Sequence, residues 1–164
     1  MQVLTVSSGK VLGARLSPDD RWLAFVVAAP DRPIETYVAR VGDAPSPQDA
    51  WLRIPTGRSY ANIWWFVRPP TLRTANSPSP VWDAGGDLLY YVSDRDGHAC
   101  IWAQRLDPRT KQPQGAPYVL RHLHRTAAAV FGGAAFLASS RDRLFFPEMT
   151  VTSNLWTAKI DPGK

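Results

Sequence analysis

The chain has 164 residues, of which 45% are hydrophobic and only 20% are charged, and its 15 prolines and 11 glycines interrupt short apolar runs. This composition is typical of a soluble β protein and excludes long helices rich in alanine, glutamate and lysine. The net charge is +5 at pH 7, but the arginines are scattered beside acidic residues and form no basic run, so we predict no specific nucleic-acid binding.

The N-terminal residues resemble neither a signal peptide nor a membrane anchor. Residues 1–10 lack a basic region followed by a long apolar stretch, and no apolar run in the chain approaches the roughly 20 residues of a membrane span. If Met1 is the true start, we expect a cytoplasmic protein. The single cysteine, Cys100, excludes an internal disulfide and is interpreted as a small buried side chain beside a strand.

Short β-prone runs in the first third of the chain predict one four-stranded unit. Residues 2–6 form a run that we interpret as the last strand of a neighbouring or closing unit. Four strands of the unit itself are then predicted over residues 11–16, 22–28, 36–41 and 51–54. We expect the segments between these strands to hold four prolines, Pro30, Pro33, Pro45 and Pro47. A missing amide hydrogen costs nothing there, because no strand pairing requires it.

Two further units follow after a segment that is harder to assign. In residues 56–80, an apolar run at 63–67 is followed at once by Arg68, Pro69 and Pro70, and it fits either a buried strand or a loop with an exposed aromatic patch. The second unit has predicted strands over residues 79–82, 88–93, 100–106 and 118–122. The third has predicted strands over residues 131–138, 144–146 and 154–160.

One pattern occurs three times: a turn rich in Asp or Gly, a short apolar strand, a second turn, and a strand with an aromatic near its start. The clearest copy runs from Gly85 to Asp107. The copies recur about every 60 residues, which suits the four short strands and loops of a propeller blade. We therefore predict an all-β fold class, a partial β-propeller of about three four-stranded antiparallel blades, half of a six-bladed ring. The blades cover residues 1–164 at approximately 11–55, 56–125 and 126–164.

The amino-acid sequence of these repeats resembles that of a known family. Ser93-Asp94-Arg95-Asp96-Gly97 before Ile101 and Trp102, together with Ser17-Pro18-Asp19-Asp20 before the strand at 22–26, is similar to the WD-repeat-like blades of TolB-type β-propellers. Residues 88–124 look like the C-terminal blades of bacterial proteins in which such a propeller follows a serine/threonine kinase or a DNA-binding regulatory domain. Residues 81–86 depart from the usual Ser-Pro-Asp-Gly turn, which weakens the transfer of any specific ligand.

The residues of this pattern have structural roles. We expect Asp94 and Asp96 to accept hydrogen bonds from nearby backbone amides and Gly97 to adopt a positive φ, which together fix a tight turn. A calcium loop would need more oxygen ligands than this turn offers. We expect Trp102 and Trp156 to fill the space between adjacent blades.

Candidate chemistry is sparse. The chain has no Gly-x-Ser-x-Gly elbow, no phosphate-binding Gly-Lys-Ser/Thr loop and no His-Glu-x-x-His helix. His122 and His124 are separated by one residue, as are His98 and Cys100, and two such pairs could in principle bind zinc or copper. Their spacing links them to no carboxylate, so we predict no catalytic, cofactor-binding or metal residues and no cofactor.

Two functions are compatible with this pattern. The favoured one is a non-catalytic module that binds a protein partner or a small ligand, or senses it, within a larger regulatory protein. The alternative is a propeller that supports or gates a separate catalytic domain, as in prolyl-oligopeptidase-like hydrolases. An open arc of blades leaves two blade faces uncovered, so we also predict self-association that completes the ring, with residues 2–6 pairing with 154–160 at the seam.

Overall fold

The computed structural model describes residues 3–7, 9–29, 32–57, 79–93, 95–97, 100–123 and 137–146. Within these ranges the chain is all-β, as predicted: it forms antiparallel sheets, one short 3-10 turn at Gln48–Ala50, and no α-helix. A search of the same residues for a helix that could span a membrane finds none. The apolar run at 63–67 lies outside the described residues.

The first sheet is a four-stranded antiparallel meander in which each strand pairs with the next one along the chain. Its central residues, 24–27 in the second strand, are apolar and buried, because a neighbouring sheet covers one side of the strand here and a cluster around Trp51 covers the other. A strand buried on both faces reads as a continuous apolar run instead of an alternating one. The strands, in spatial order, are β1 (Lys10–Leu16), β2 (Trp22–Ala29), β3 (Arg32–Arg40) and β4 (Leu52–Ile54).

Strand β3 begins earlier than the sequence predicts and includes Pro33. Val27 pairs with Glu35, whereas Ala29 pairs with Arg32, so β3 carries an extra residue at this point. Such a bulge interrupts the hydrogen-bond ladder and therefore tolerates a residue without an amide hydrogen. The prediction that Pro33 lies between strands was wrong for this reason.

The second sheet repeats the meander. Both β6 and β7 have the predicted bounds, whereas β8 begins at Pro113 instead of Tyr118 and ends before His122. The sequence pattern hides the start of β8 because Pro113, Gly115 and Pro117 interrupt it, and an edge strand with irregular register accommodates them. The strands, in spatial order, are β5 (Val81–Trp82), β6 (Leu88–Ser93), β7 (Cys100–Leu106) and β8 (Pro113–Arg121).

A third, two-stranded sheet pairs β9 (Ala138–Ser139) with β10 (Leu144–Phe145). Of the strand predicted at 131–138, only the end at Ala138 is seen in β9, and residues 131–136 lie outside the described residues. The strand predicted at 154–160, with Trp156, lies outside them as well. The strands of the described ranges form three separate sheets and do not close into a ring.

The three sheets pack face to face in chain order. One buried cluster joins the first two sheets, and Trp102 packs against it, as predicted. A second cluster joins the second sheet to the third. The first cluster comprises Ala24, Val38, Ile54, Trp82, Leu89, Tyr91 and Leu106. The second comprises Val81, Val92, Ile101, Leu123 and Leu137, with Leu144 and Phe146 against it.

The first strands of successive sheets lie side by side. The Trp82 indole Nε1 donates a hydrogen bond to the Arg15 carbonyl oxygen at 3.0 Å, and the Ser139 hydroxyl donates to the Trp82 carbonyl. A Cβ at Gly13 would lie only 2.2 Å from the Ser79 hydroxyl oxygen, so a glycine allows this close approach. The first strand of each sheet therefore contacts the first strand of the next sheet.

The other face of the first sheet carries a third cluster. Phe25, Val27, Ala39 and Trp51 are buried there, and the rings of Phe25 and Trp51 meet edge to face at 4.9 Å. The side chains of Leu4 and Val6 pack against this cluster. The strand predicted at residues 2–6 is seen, in the described part of that segment, only as an isolated parallel bridge between Leu4 and Ser46.

Candidate functional site

Three polar side chains that lie far apart in the sequence meet at one end of the second sheet. Asp96 lies in the turn between β6 and β7, Cys100 begins β7, and His122 follows the last residue of β8. The Cys100 Sγ is 3.6 Å from the Asp96 Oδ2 and 3.6 Å from the His122 Nδ1. Since the Asp96 Oδ2 and the His122 Nδ1 are also 3.6 Å apart, the three atoms form a nearly equilateral triangle, here named the Asp-Cys-His cluster.

Strand pairing brings these residues together. In the β6–β7 hairpin, Cys100 pairs with Ser93, and in the β7–β8 pair, Ile101 lies opposite Arg121. His122, one residue beyond Arg121, therefore reaches the side of Cys100. The pairing of β6, β7 and β8 therefore sets where the three residues meet, although only Cys100 itself lies in a strand.

The β6–β7 turn is held by Ser93 and Gly97. The buried Ser93 hydroxyl donates to the Thr56 carbonyl oxygen and accepts a hydrogen bond from the Arg95 backbone N–H at 3.2 Å. Gly97 has the predicted positive φ, 89°. Asp94 lies outside the described residues, and Asp96 directs its Oδ2 towards Cys100 and His122.

Exposure differs sharply within the cluster. Cys100 is fully buried, whereas 26% of the Asp96 side chain and 56% of the His122 side chain are exposed. Burial raises the pKa of the Cys100 thiol above its ordinary value, the Leu123 backbone N–H opposes this shift, and the negative charge of Asp96 adds to it. The thiol is thus neutral at pH 7 and can donate a hydrogen bond to Asp96.

The first sheet provides an internal comparison. Val27 pairs with Glu35 there as Ser93 pairs with Cys100 in the second sheet, so Glu35 occupies the position of Cys100. Glu35 forms an ion pair with Arg53 at 2.8 Å and accepts a hydrogen bond from the Tyr37 hydroxyl at 2.6 Å. The architecture therefore folds without a Cys-His pair at this place.

A Cys-His pair also invites comparison with a catalytic nucleophile. In such a pair, the base accepts the thiol proton on one ring nitrogen while an acidic residue orients the ring through the other nitrogen. Here, Cys100 and Asp96 both approach the Nδ1 of His122. The triangular arrangement, with its buried sulfur, suits binding better than nucleophilic attack.

Of the residues that the sequence singled out for possible metal binding, the structure brings together Cys100 and His122. His98 and His124 lie outside the described residues. The sequence spacing linked no carboxylate to this pair, and Asp96 was interpreted only as a turn residue; the structure places its carboxylate against both side chains. The signal that could have found it is the hairpin register, which places the turn beside the first residue of β7.

The opposite end of the second sheet carries a different polar group, which has a structural role. The buried Lys111 Nζ contacts the Asp87 Oδ1 at 3.0 Å and ties the β7–β8 turn to the β5–β6 turn. At the same end, hydrogen bonds from the Thr110 backbone N–H and hydroxyl, and from the Arg109 backbone N–H, lower the pKa of Asp107. These contacts stabilise the turns at this end of the sheet.

No protein-family model matches the chain, and a search of curated proteins finds no match either.

Proposed function

We propose that the chain contributes consecutive blades to a β-propeller that works as a non-catalytic binding module. Two features of the sheets support the propeller. The second sheet is covered on both faces by its neighbours, and the first strands β1, β5 and β9 lie next to one another. Radial repetition of four-stranded sheets around a channel places equivalent strands in this way.

A place for a further blade is open on the first sheet. Leu16 pairs with Leu23 as Trp82 pairs with Leu89, so Leu16 and Trp82 are equivalent. The first sheet covers Trp82, which is only 4% exposed. Leu16, in contrast, is 50% exposed. We propose that a second copy of the chain covers this face and completes the ring, because homo-oligomers with closed symmetry are the common solution for such surfaces.

The binding function is assigned to the end of the propeller that carries the Asp-Cys-His cluster. The observation that carries this proposal is the departure from the repeat at Cys100: the first sheet folds with Glu35 in the same place, so stability of the blade does not require the cluster. Binding residues are concentrated on loops that a rigid scaffold holds in place. The partner is a protein or a small ligand that contacts Asp96 and His122 from solvent.

Photo-crosslinking in the cells that naturally make the protein tests this proposal. A benzoylphenylalanine replaces Arg95, an exposed residue beside the cluster, and, in a matched control, Arg109, an exposed residue at the opposite end of β7. We expect a discrete adduct from position 95 and none from position 109, because the partner binds one end only. Equal crosslinking at both positions, or none at position 95, would overturn the assignment.

A further inference from the structure

We infer that Asp96, Cys100 and His122 form a zinc-binding site. The site requires no propeller ring and no partner, so it goes beyond the proposed binding function and is tested separately. It rests on the described side chains alone: a sulfur, an imidazole nitrogen and a carboxylate oxygen that all lie within 4.8 Å of one another.

The distances fit one face of a coordination tetrahedron. Zinc binds sulfur at about 2.3 Å and nitrogen or oxygen at about 2.1 Å, so tetrahedral geometry separates the ligand atoms by about 3.4 to 3.6 Å. The three separations in the cluster are each 3.6 Å. A metal ion could therefore enter with shifts of a few tenths of an ångström and without a change in the strands.

The kinds of ligand favour zinc over the common hard cations. A cysteine sulfur and an imidazole nitrogen suit zinc, whereas magnesium and calcium require sets of oxygen ligands. Asp96 supplies the single carboxylate, which zinc also accepts. Metal binding would replace the Cys100 thiol proton, and the sulfur of this fully buried residue would form the inner corner of the site.

Among the described residues, three side chains supply ligands, and they would leave one coordination position of zinc for solvent or for another ligand. Three protein ligands leave the fourth tetrahedral position open, as in zinc sites that bind exchangeable groups. With more than half of its side chain exposed, His122 places that position at the surface of the sheet end. An anionic or nitrogen-containing group of a partner could complete the coordination there.

The competing interpretation is a hydrogen-bonded cluster without metal, in which the Cys100 thiol donates to Asp96. The two interpretations differ in what they predict for the intact chain after treatment with a chelator. Cobalt chloride, added alone, should produce the near-ultraviolet thiolate-to-cobalt charge-transfer band and the visible bands of four-coordinate cobalt at one ion per chain. Zinc chloride should abolish these bands by displacement and should raise the Tm, whereas magnesium chloride should do neither.

Variants assign the ligands. Cys100→Ser should remove the charge-transfer band, and His122→Gln or Asp96→Asn should weaken zinc binding by more than the roughly 10- to 100-fold expected for an outer-shell partner. His122→Gln changes an exposed ring and should fold even if the variant at the buried Cys100 does not. The control Asp142→Asn alters an exposed carboxylate of the third sheet and should bind zinc as the wild type does.

The outcomes separate the interpretations. A charge-transfer band that is lost in the cluster variants and kept in Asp142→Asn supports the site. Absence of the band in the wild type, or its persistence in His122→Gln and Asp96→Asn at unchanged affinity, overturns it. Neither result depends on whether position 95 crosslinks to a partner, so failure of the zinc site and failure of the binding module are distinguishable.

Discussion

Tyr91 and Phe25 occupy equivalent positions in successive sheets, and each ring faces away from the sheet that follows its own. Phe25 lies opposite Tyr37 on the neighbouring strand, and Tyr91 lies opposite Trp102 in the same register. The difference between them is one hydroxyl. The buried Tyr91 Oη has no hydrogen-bond partner among the described residues, and burial raises the pKa of Tyr91 to about 12.

Tyr91→Phe should therefore stabilise the fold at neutral pH. The substitution makes the second sheet match the first and removes a buried hydroxyl without a partner, which typically costs about 1 kcal/mol or more. We expect the free energy of unfolding, measured in urea, to rise by about 1 kcal/mol. A loss of stability would show that the hydroxyl has a partner.

The same variant should change how the free energy of unfolding depends on pH in the alkaline range. The folded pKa of Tyr91 is raised, so the unfolded chain ionises first and stability falls as pH rises from the ordinary value of 10.0 towards about 12. The full difference corresponds to about 2 to 3 kcal/mol. We expect wild type to lose stability more steeply than Tyr91→Phe above pH 10.0, and parallel profiles would contradict the burial of this phenol.

Trp102 should contribute strongly to stability because it packs where the first two sheets meet. Its side chain is partly buried against the cluster of Ala24, Leu89 and Tyr91, and the Arg95 guanidinium lies 5.4 Å from the centre of its ring. Trp102→Ala should lower the free energy of unfolding by about 3 kcal/mol.

Phe145→Ala is the control, since 55% of Phe145 is exposed, and it should change the free energy of unfolding by less than about 0.5 kcal/mol. If Trp102→Ala costs less than about 1 kcal/mol, as surface substitutions do, its packing role is wrong.

The local part of the fold can be predicted from the sequence, and β6 and β7 show why. Their apolar runs are bounded by turn residues such as Gly86 and Gly97, whose positive φ values of 75° and 89° bear out the turns. Strands that contain prolines are less predictable. Both β3 and β8 extend through prolines because bulges and free edges relax the need for every amide hydrogen.

The site is harder to predict because it depends on cross-strand register. Cys100 and His122 are brought together by the pairing of β7 with β8, and irregularities in that pairing prevent a count of residues from giving the register. Asp96 lies within the turn that precedes Cys100, and the spacing alone does not give the direction of its side chain. The sequence thus shows which residue types could bind a metal, but the register of the strands decides which of these residues lie close together.

The most direct test of the propeller assembly is sedimentation velocity of the intact chain with two matched variants. Leu16 and Leu120 are both leucines and are exposed to similar extents, 50% and 47%. Only Leu16 occupies the position that Trp82 fills at the contact between sheets, while Leu120 lies on the edge strand β8. A charge introduced into a buried contact is costly, whereas one on an open edge is not.

We predict that wild type and Leu120→Lys associate at micromolar concentration and that Leu16→Lys associates at least about tenfold more weakly. A wild-type chain that remains a stable monomer at that concentration, or a Leu16→Lys variant that associates as the wild type does, would contradict the proposal that a second copy covers the first sheet and completes the ring.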